Sequence, residues 1–170
     1  MSQQASHQAK VLTVSDSIEA GNREDISGTA LVDRLMSSDF DVIERRVVPD
    51  DVEEISNALS YRAYGFNGLI VTTGGSGFGQ RDFTPEATRR ILDRTAPGIA
   101  EAMRSISPRG RLSRAIAGTR GSALILNLAG APDRALEMLD AVIEVVPEAL
   151  GLLGGGSVPT VAAVELKSAD

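Results

Sequence analysis

No cysteine occurs in the sequence. That removes disulfides, thiolate zinc centres, iron–sulfur clusters and cysteine nucleophiles together, and is compatible with a reducing cytoplasm. Histidine is nearly as scarce. The one copy, His7, falls in a polar leader, residues 1–9, expected to be disordered, which disfavours Ser-His-Asp hydrolysis and histidine-ligated metals. Any metal partner is then a hard ion held by carboxylate oxygens, with Mg²⁺ the first candidate. Tryptophan is absent and aromatics make up 4% of the chain. No apolar run approaches the roughly 18 residues of a membrane span, and the N-terminus lacks the charged and apolar regions of a signal peptide, so a cytoplasmic protein without membrane attachment is expected. The net charge of −6 argues against non-specific nucleic-acid binding. At 170 residues, a single domain needs no staples to fold.

What is abundant is glycine, and it is concentrated. Gly68-Leu69-Ile70-Val71-Thr72-Thr73 reads as a strand buried on both faces, and it runs into Gly74-Gly75-Ser76-Gly77-Phe78-Gly79. Without Cβ atoms this backbone can turn sharply and bring N–H groups up against an anion. The spacing matches neither a dinucleotide fingerprint nor a P-loop. Thr84-Pro85 is expected as N-cap and first residue of the next helix, leaving Arg81 and Asp82 between the glycine turn and a helix start. Residues 80–120 hold nine arginines against four acids in an otherwise acidic chain, a distribution suited to a polyanionic small molecule.

Taken in order, residues 10–14 form a short strand ending at Ser15-Asp16-Ser17, and a polar loop follows to residue 27. A helix opening at Ser27-Gly28 places Leu31, Leu35 and Met36 on one face. Residues 40–48 are a second strand, after which Asp50 or Asp51 caps a helix with Val52, Ile55 and Leu59 at core spacing. Beyond the glycine turn come a helix to residue 92, an interruption at Pro97-Gly98, a further helical stretch, and an exposed loop at 107–111. Residues 113–119 and 122–128 pair as a hairpin turning at Arg120-Gly121. A last long helix from Gly130-Ala131-Pro132 buries Leu136, Leu139, Val142, Ile143 and Val146, and Pro147 should kink or end it. Residues 154–170 form a Gly-rich tail. This β-α-β-α-β-α alternation predicts an α/β domain, three layers α/β/α around a mostly parallel sheet.

In such sheets ligands bind beyond the carboxyl ends of the strands. The residues expected there include Ser15, Asp16, Asp50, Thr73, Gly74, Gly75, Ser76, Gly77, Arg81, Asp82, Asn127 and Gly130. Carboxylates beside a phosphate-binding turn suit Mg²⁺, so Asp50 and Asp82 are the expected metal ligands and catalytic acids for phosphoryl or nucleotidyl transfer, chemistry that needs no histidine. Ser113 carries a weaker local signal.

Together, Leu12-Thr13-Val14-Ser15-Asp16-Ser17, Arg23-Glu24-Asp25 with Ser27-Gly28, Val47-Val48-Pro49-Asp50, Thr72-Thr73-Gly74-Gly75-Ser76-Gly77 with Arg81-Asp82 and Thr84-Pro85-Glu86-Ala87, and Leu112-Ser113-Arg114 resemble the molybdopterin-binding MoaB/Mog family. The resemblance covers residues 10–153. It implies a homotrimer or a dimer of trimers and a molybdopterin adenylyltransferase, which uses Mg²⁺ to transfer AMP from ATP to the terminal phosphate of molybdopterin and releases pyrophosphate. A molybdenum-insertion protein is an implied partner. By position, Asp50 and Asp82 correspond to the family's essential acids, Gly74 to Gly77 to its phosphate-lining turn, and Ser113 to its site serine. Asn127-Leu128-Ala129-Gly130-Ala131-Pro132 departs from the usual Asn-Leu-Pro-Gly-Ser-Pro or Asn-Leu-Pro-Gly-Asn-Pro, losing a rigid turn and a polar side chain. The alternative function is accordingly a non-catalytic molybdopterin-binding paralogue. A nicotinamide dehydrogenase is disfavoured because the first strand leads into Ser15-Asp16-Ser17 instead of a glycine fingerprint.

Overall fold

The computed structural model describes residues 7–155. Among the described residues six strands, β1 (His7–Val14), β2 (Phe40–Val48), β3 (Gly68–Thr73), β4 (Arg94–Thr95), β5 (Ala117–Arg120) and β6 (Ala123–Leu128), form one sheet in the order β2-β1-β3-β6-β5-β4. The β2, β1, β3 and β6 strands are parallel, while β5 runs antiparallel to β6 and β4 antiparallel to β5. The helices are α1 (Asp16–Glu19), α2 (Ile26–Met36), α3 (Val52–Ala63), α4 (Thr84–Ile91), α5 (Pro97–Ser105), α6 (Pro132–Asp140) and α7 (Val146–Leu153).

Three layers follow from strand periodicity. Side chains alternate across a strand, and here both sets are apolar, so both faces must be covered. Val11, Leu69, Val71, Leu124 and Leu126 face one way, onto Leu31 and Leu35 of α2, Met103 of α5, Leu139 of α6 and Leu150 of α7. Leu12, Ile70 and Ile125 face the other, onto Ile55 and Leu59 of α3 and Ile91 of α4. Each fully buried Leu or Ile contributes about 1.5–3 kcal/mol relative to leaving it exposed.

Several boundaries differ from those expected, each for a local reason. The first strand begins at His7, so the last three residues of the expected leader pair with β2; residues 1–6 of that leader lie outside the described residues. Met36 is 61% exposed because the apolar stripe of α2 ends at Leu35. The polar loop after residue 17 contains α1, capped by Ser15, whose Oγ accepts from the Ile18 N–H. The cap of α3 is Asp51, which accepts from the Glu53 and Glu54 N–H groups, leaving Asp50 free of that duty. Thr84 lies inside α4 and caps nothing; its hydroxyl donates to Gly74 O at 2.8 Å. Residues 108–112 wind into a 3-10 turn. The expected long last helix is two, α6 and α7, joined by a 3-10 turn over Ile143–Val145; Pro147 sits in the first turn of α7, where a missing N–H costs nothing, and so opens a helix. Gly154 and Gly155 close α7, and the rest of the expected tail lies outside the described residues.

Candidate active site

The chain leaves β1 toward β2 on one side and later returns to β3 on the other. A crevice must open at that switch, past the carboxyl ends of β1 and β3. A cavity of about 490 Å³ lies there, with Thr13, Val14 and Ser15 on one wall and Thr73, Gly74 and Gly75 on the other. Asp50, Asp82 and Gly130 complete its rim. A second cavity of about 240 Å³ shares Gly75, Asp82 and Gly130 with the first and adds Ser76, Gly77 and Ser113. Asp82 therefore stands where the two cavities meet.

The glycine turn is built by backbone strain that only glycine tolerates. Gly74 and Gly75 have φ of +100° and +64°, and a Cβ on Gly74 would lie 2.3 Å from Val14 O. Glycine turns of this kind let backbone N–H groups approach an anion closely. Among the described residues, the Gly75, Ser76 and Gly77 N–H groups donate to no protein acceptor. The turn is anchored behind by Ser76 Oγ on Leu128 O and by Thr84 N–H on Gly75 O.

Asp50 and Asp16 clasp one another across the ends of β2 and β1. The Asp16 N–H donates to Asp50 Oδ2 at 2.9 Å, and the Asp50 N–H donates to Asp16 Oδ1 at 3.0 Å. Arg81 closes the clasp, donating to Asp16 Oδ2 at 2.6 Å and to Asp50 O at 3.0 Å. Its hydrogen bond holds the Asp16 carboxyl below the usual carboxylate range. Burial pushes the Asp50 carboxyl above its ordinary 3.8, and the Asp16 and Asp82 charges push the same way against the opposing Asp16 N–H. Asp82 Oδ2 accepts from the Gly79 N–H at 2.8 Å.

Most of the expected residues thus converge, in two roles. Ser15, Thr73, Gly74, Gly75, Ser76, Gly77, Gly130, Asp50, Asp82 and Ser113 line one cavity or both. Asp16 and Arg81 line neither and brace Asp50. Asn127 lines neither cavity. It is fully buried within β6, where its amide donates to the hydroxyls of Thr72 and Thr88 and accepts from the Ile116 N–H, so it joins β6 to β3 and α4. The residues not expected are Arg23, the cation on the larger cavity, Ser27, hydrogen-bonded to Thr73, and Arg109 and Arg134 on the smaller one. Arg23 and Ser27 stand in the motifs named above, where nothing local gave them a role; Arg109 and Arg134 carry no local signal beyond charge.

Against this geometry, the family model described as "Probable molybdopterin binding domain" matches residues 10–149. The chain belongs to that family. Among relatives of this molybdopterin-binding family, the molybdopterin adenylyltransferase of Helicobacter pylori (strain J99) is 37% identical over 152 residues, covering 85% of this chain and 86% of that protein. Gephyrin of Dictyostelium discoideum is 38% identical over 84% of this chain, which spans only 22% of that protein's length. The crystal structure of the molybdopterin biosynthesis enzyme MoaB from Thermus thermophilus superposes with a TM-score of 0.82 at 44% identity, covering 88% of this chain and 97% of that one. Family membership and the α/β/α fold agree.

Proposed function

We propose that the protein is a molybdopterin adenylyltransferase acting in molybdenum cofactor biosynthesis. The observation that carries this is the meeting of Asp50 and Asp82, from separate loops, on one cavity beside a glycine turn whose Gly75, Ser76 and Gly77 amides are unpaired among the described residues. Relatives that cover most of the chain bear that name. In the reaction an oxygen of the terminal phosphate of molybdopterin bonds to the α-phosphorus of ATP as the bond to pyrophosphate breaks. Such transfers depend on placing reactants and offsetting charge. The Gly75 amide holds a phosphate oxygen of the nucleotide in the larger cavity, whose lining includes Arg23, while Ser76 and Gly77 line the smaller one. The smaller cavity, flanked by Arg109 and Arg134, takes the acceptor phosphate, and Asp82 stands between the two.

Magnesium fits these residues. Asp50 is a half-buried acid beside two other carboxylates, and its Oδ1 and the Oδ1 of Asp82 accept no hydrogen bond among the described residues. No group of three or more protein ligands is preassembled among the described residues, so a cation held by Asp50 and Asp82 would share its remaining positions with substrate oxygens and water. Bound there, Mg²⁺ supplies charge neutralisation across the phosphates. The same function implies a cytoplasmic homotrimer or hexamer that delivers its product to a molybdenum-insertion protein.

Incubation of the purified protein with α-labelled ATP, Mg²⁺ and molybdopterin tests this. Label should move to the pterin with one pyrophosphate released per transfer. Binding of the pterin without transfer would leave the non-catalytic paralogue, the function suggested by Ala129 and by Ala131, which caps α6 with no side-chain hydrogen bond.

A further inference from the structure

Arg114 lines neither site cavity, yet it is bonded to the glycine turn at several points. Its backbone N–H donates to Ser76 O at 2.8 Å, its Nε to Gly77 O at 2.6 Å and one terminal nitrogen to Asp82 O at 2.6 Å. The other terminal nitrogen pairs with Glu86 in the first turn of α4. The guanidinium thus ties Gly77 to Asp82 across the turn with one planar fork, which a lysine has no geometry to reproduce, while the bond to Ser76 O is main-chain.

Asp82 takes its orientation from inside that turn. Its Oδ2 accepts the Gly79 N–H, and its own N–H donates to Gly79 O at 3.1 Å. Glu86 in turn fixes the guanidinium, its second oxygen being buried without a hydrogen-bond partner among the described residues. Asp50 is held separately, by Asp16 and Arg81. The two acids are therefore positioned by two arginines, each braced by a further acid.

Resting on the adenylyl-transfer function above, we propose that Arg114 is the positioning residue for Asp82: it fixes that carboxylate by clamping the carbonyls of Gly77 and Asp82, and touches no substrate itself. A misplacement of about 1 Å is enough to cost roughly 10²-fold in rate.

Two readouts test this, one independent of turnover. In Arg114→Lys, amide exchange at Gly79 and Asp82 should accelerate at least tenfold while β1, β3 and β6 keep their protection. In the same variant kcat should fall about 10²-fold with little change in KM for ATP, yet adding Arg114→Lys to Asp82→Asn should cost less than about threefold more. Glu86→Gln, which releases only the brace, should lose about tenfold and likewise lose nothing further on Asp82→Asn. Unchanged exchange at Gly79, or losses that multiply in the double variant, would overturn the assignment. If wild-type protein transfers no AMP, the adenylyltransferase function fails and the exchange comparison alone decides the role of Arg114.

Discussion

Asp50 carries a charge that the fold itself disfavours. Because burial and two neighbouring carboxylates raise its pKa, its ionised form costs stability above that pKa, and the cost disappears as the pH falls through it. Asp50→Asn in Mg²⁺-free buffer should therefore melt higher than wild type at pH 7, by up to about 1 kcal/mol given the solvent it still sees. That gain should vanish as the pH approaches the ordinary carboxylate range, and thermal melts at several pH values check it. Turnover should fall at least about 10²-fold in the same variant. Asp16 behaves oppositely: held low by Arg81, it favours the fold above its ordinary pKa of 3.8, and that contribution is lost as the pH drops further. Asn127 makes a contrasting prediction. Asn127→Ala removes three hydrogen bonds, two of them buried, and should cost about 2–4 kcal/mol in urea unfolding, while KM for ATP stays unchanged in the protein that remains folded. A large KM effect at full stability would return Asn127 to the substrate.

The glycine turn behaves as an element in its own right, and its cost can be separated from that of an ordinary glycine. Gly74→Ala combines left-handed strain with a Cβ that meets the Val14 carbonyl, a main-chain atom of the sheet that cannot move aside, and should cost about 3 kcal/mol. Gly121→Ala has the strain alone, with open space around it, and should cost about 1 kcal/mol in the same unfolding assay. At the start of α6, Ala131→Ser should restore a side-chain cap and add about 1 kcal/mol. Which elements were legible in the sequence follows from their length. The runs at Leu69–Thr72 and Ala123–Leu126 identified β3 and β6 because strands buried on both faces are apolar throughout. The β4 strand is two residues and α1 four, too short to show any period, so both were missed. The α6–α7 break escaped because the apolar stripe continues across Val142 and Val146 while the backbone tightens between them, and Pro147 reads as a stop unless the break before it is known.

At the scale of the whole molecule, the decisive fact is strand order. Local patterns named the acids but not their neighbours; only with β1 between β2 and β3 do Asp16, Asp50 and Asp82 come to one edge, and only with β6 beside β3 does Gly130 join them. Asn127, expected beyond a strand end, lies outside both cavities. It stands in the strand itself, one residue before its end, and points into the sheet's packing. The arginine-rich segment 80–120, whose charge was read as suiting a polyanionic small molecule, is divided by the fold among separate tasks: Arg81 braces Asp50, Arg90 and Arg120 pair with surface acids, and Arg109 flanks the smaller cavity. The most direct test of the whole account is pyrophosphate release from ATP, dependent on molybdopterin and Mg²⁺, by wild type beside Asp82→Asn. Wild type is predicted to turn over and Asp82→Asn to bind both substrates but release pyrophosphate at least about 10²-fold more slowly; equal rates in the two proteins would contradict it.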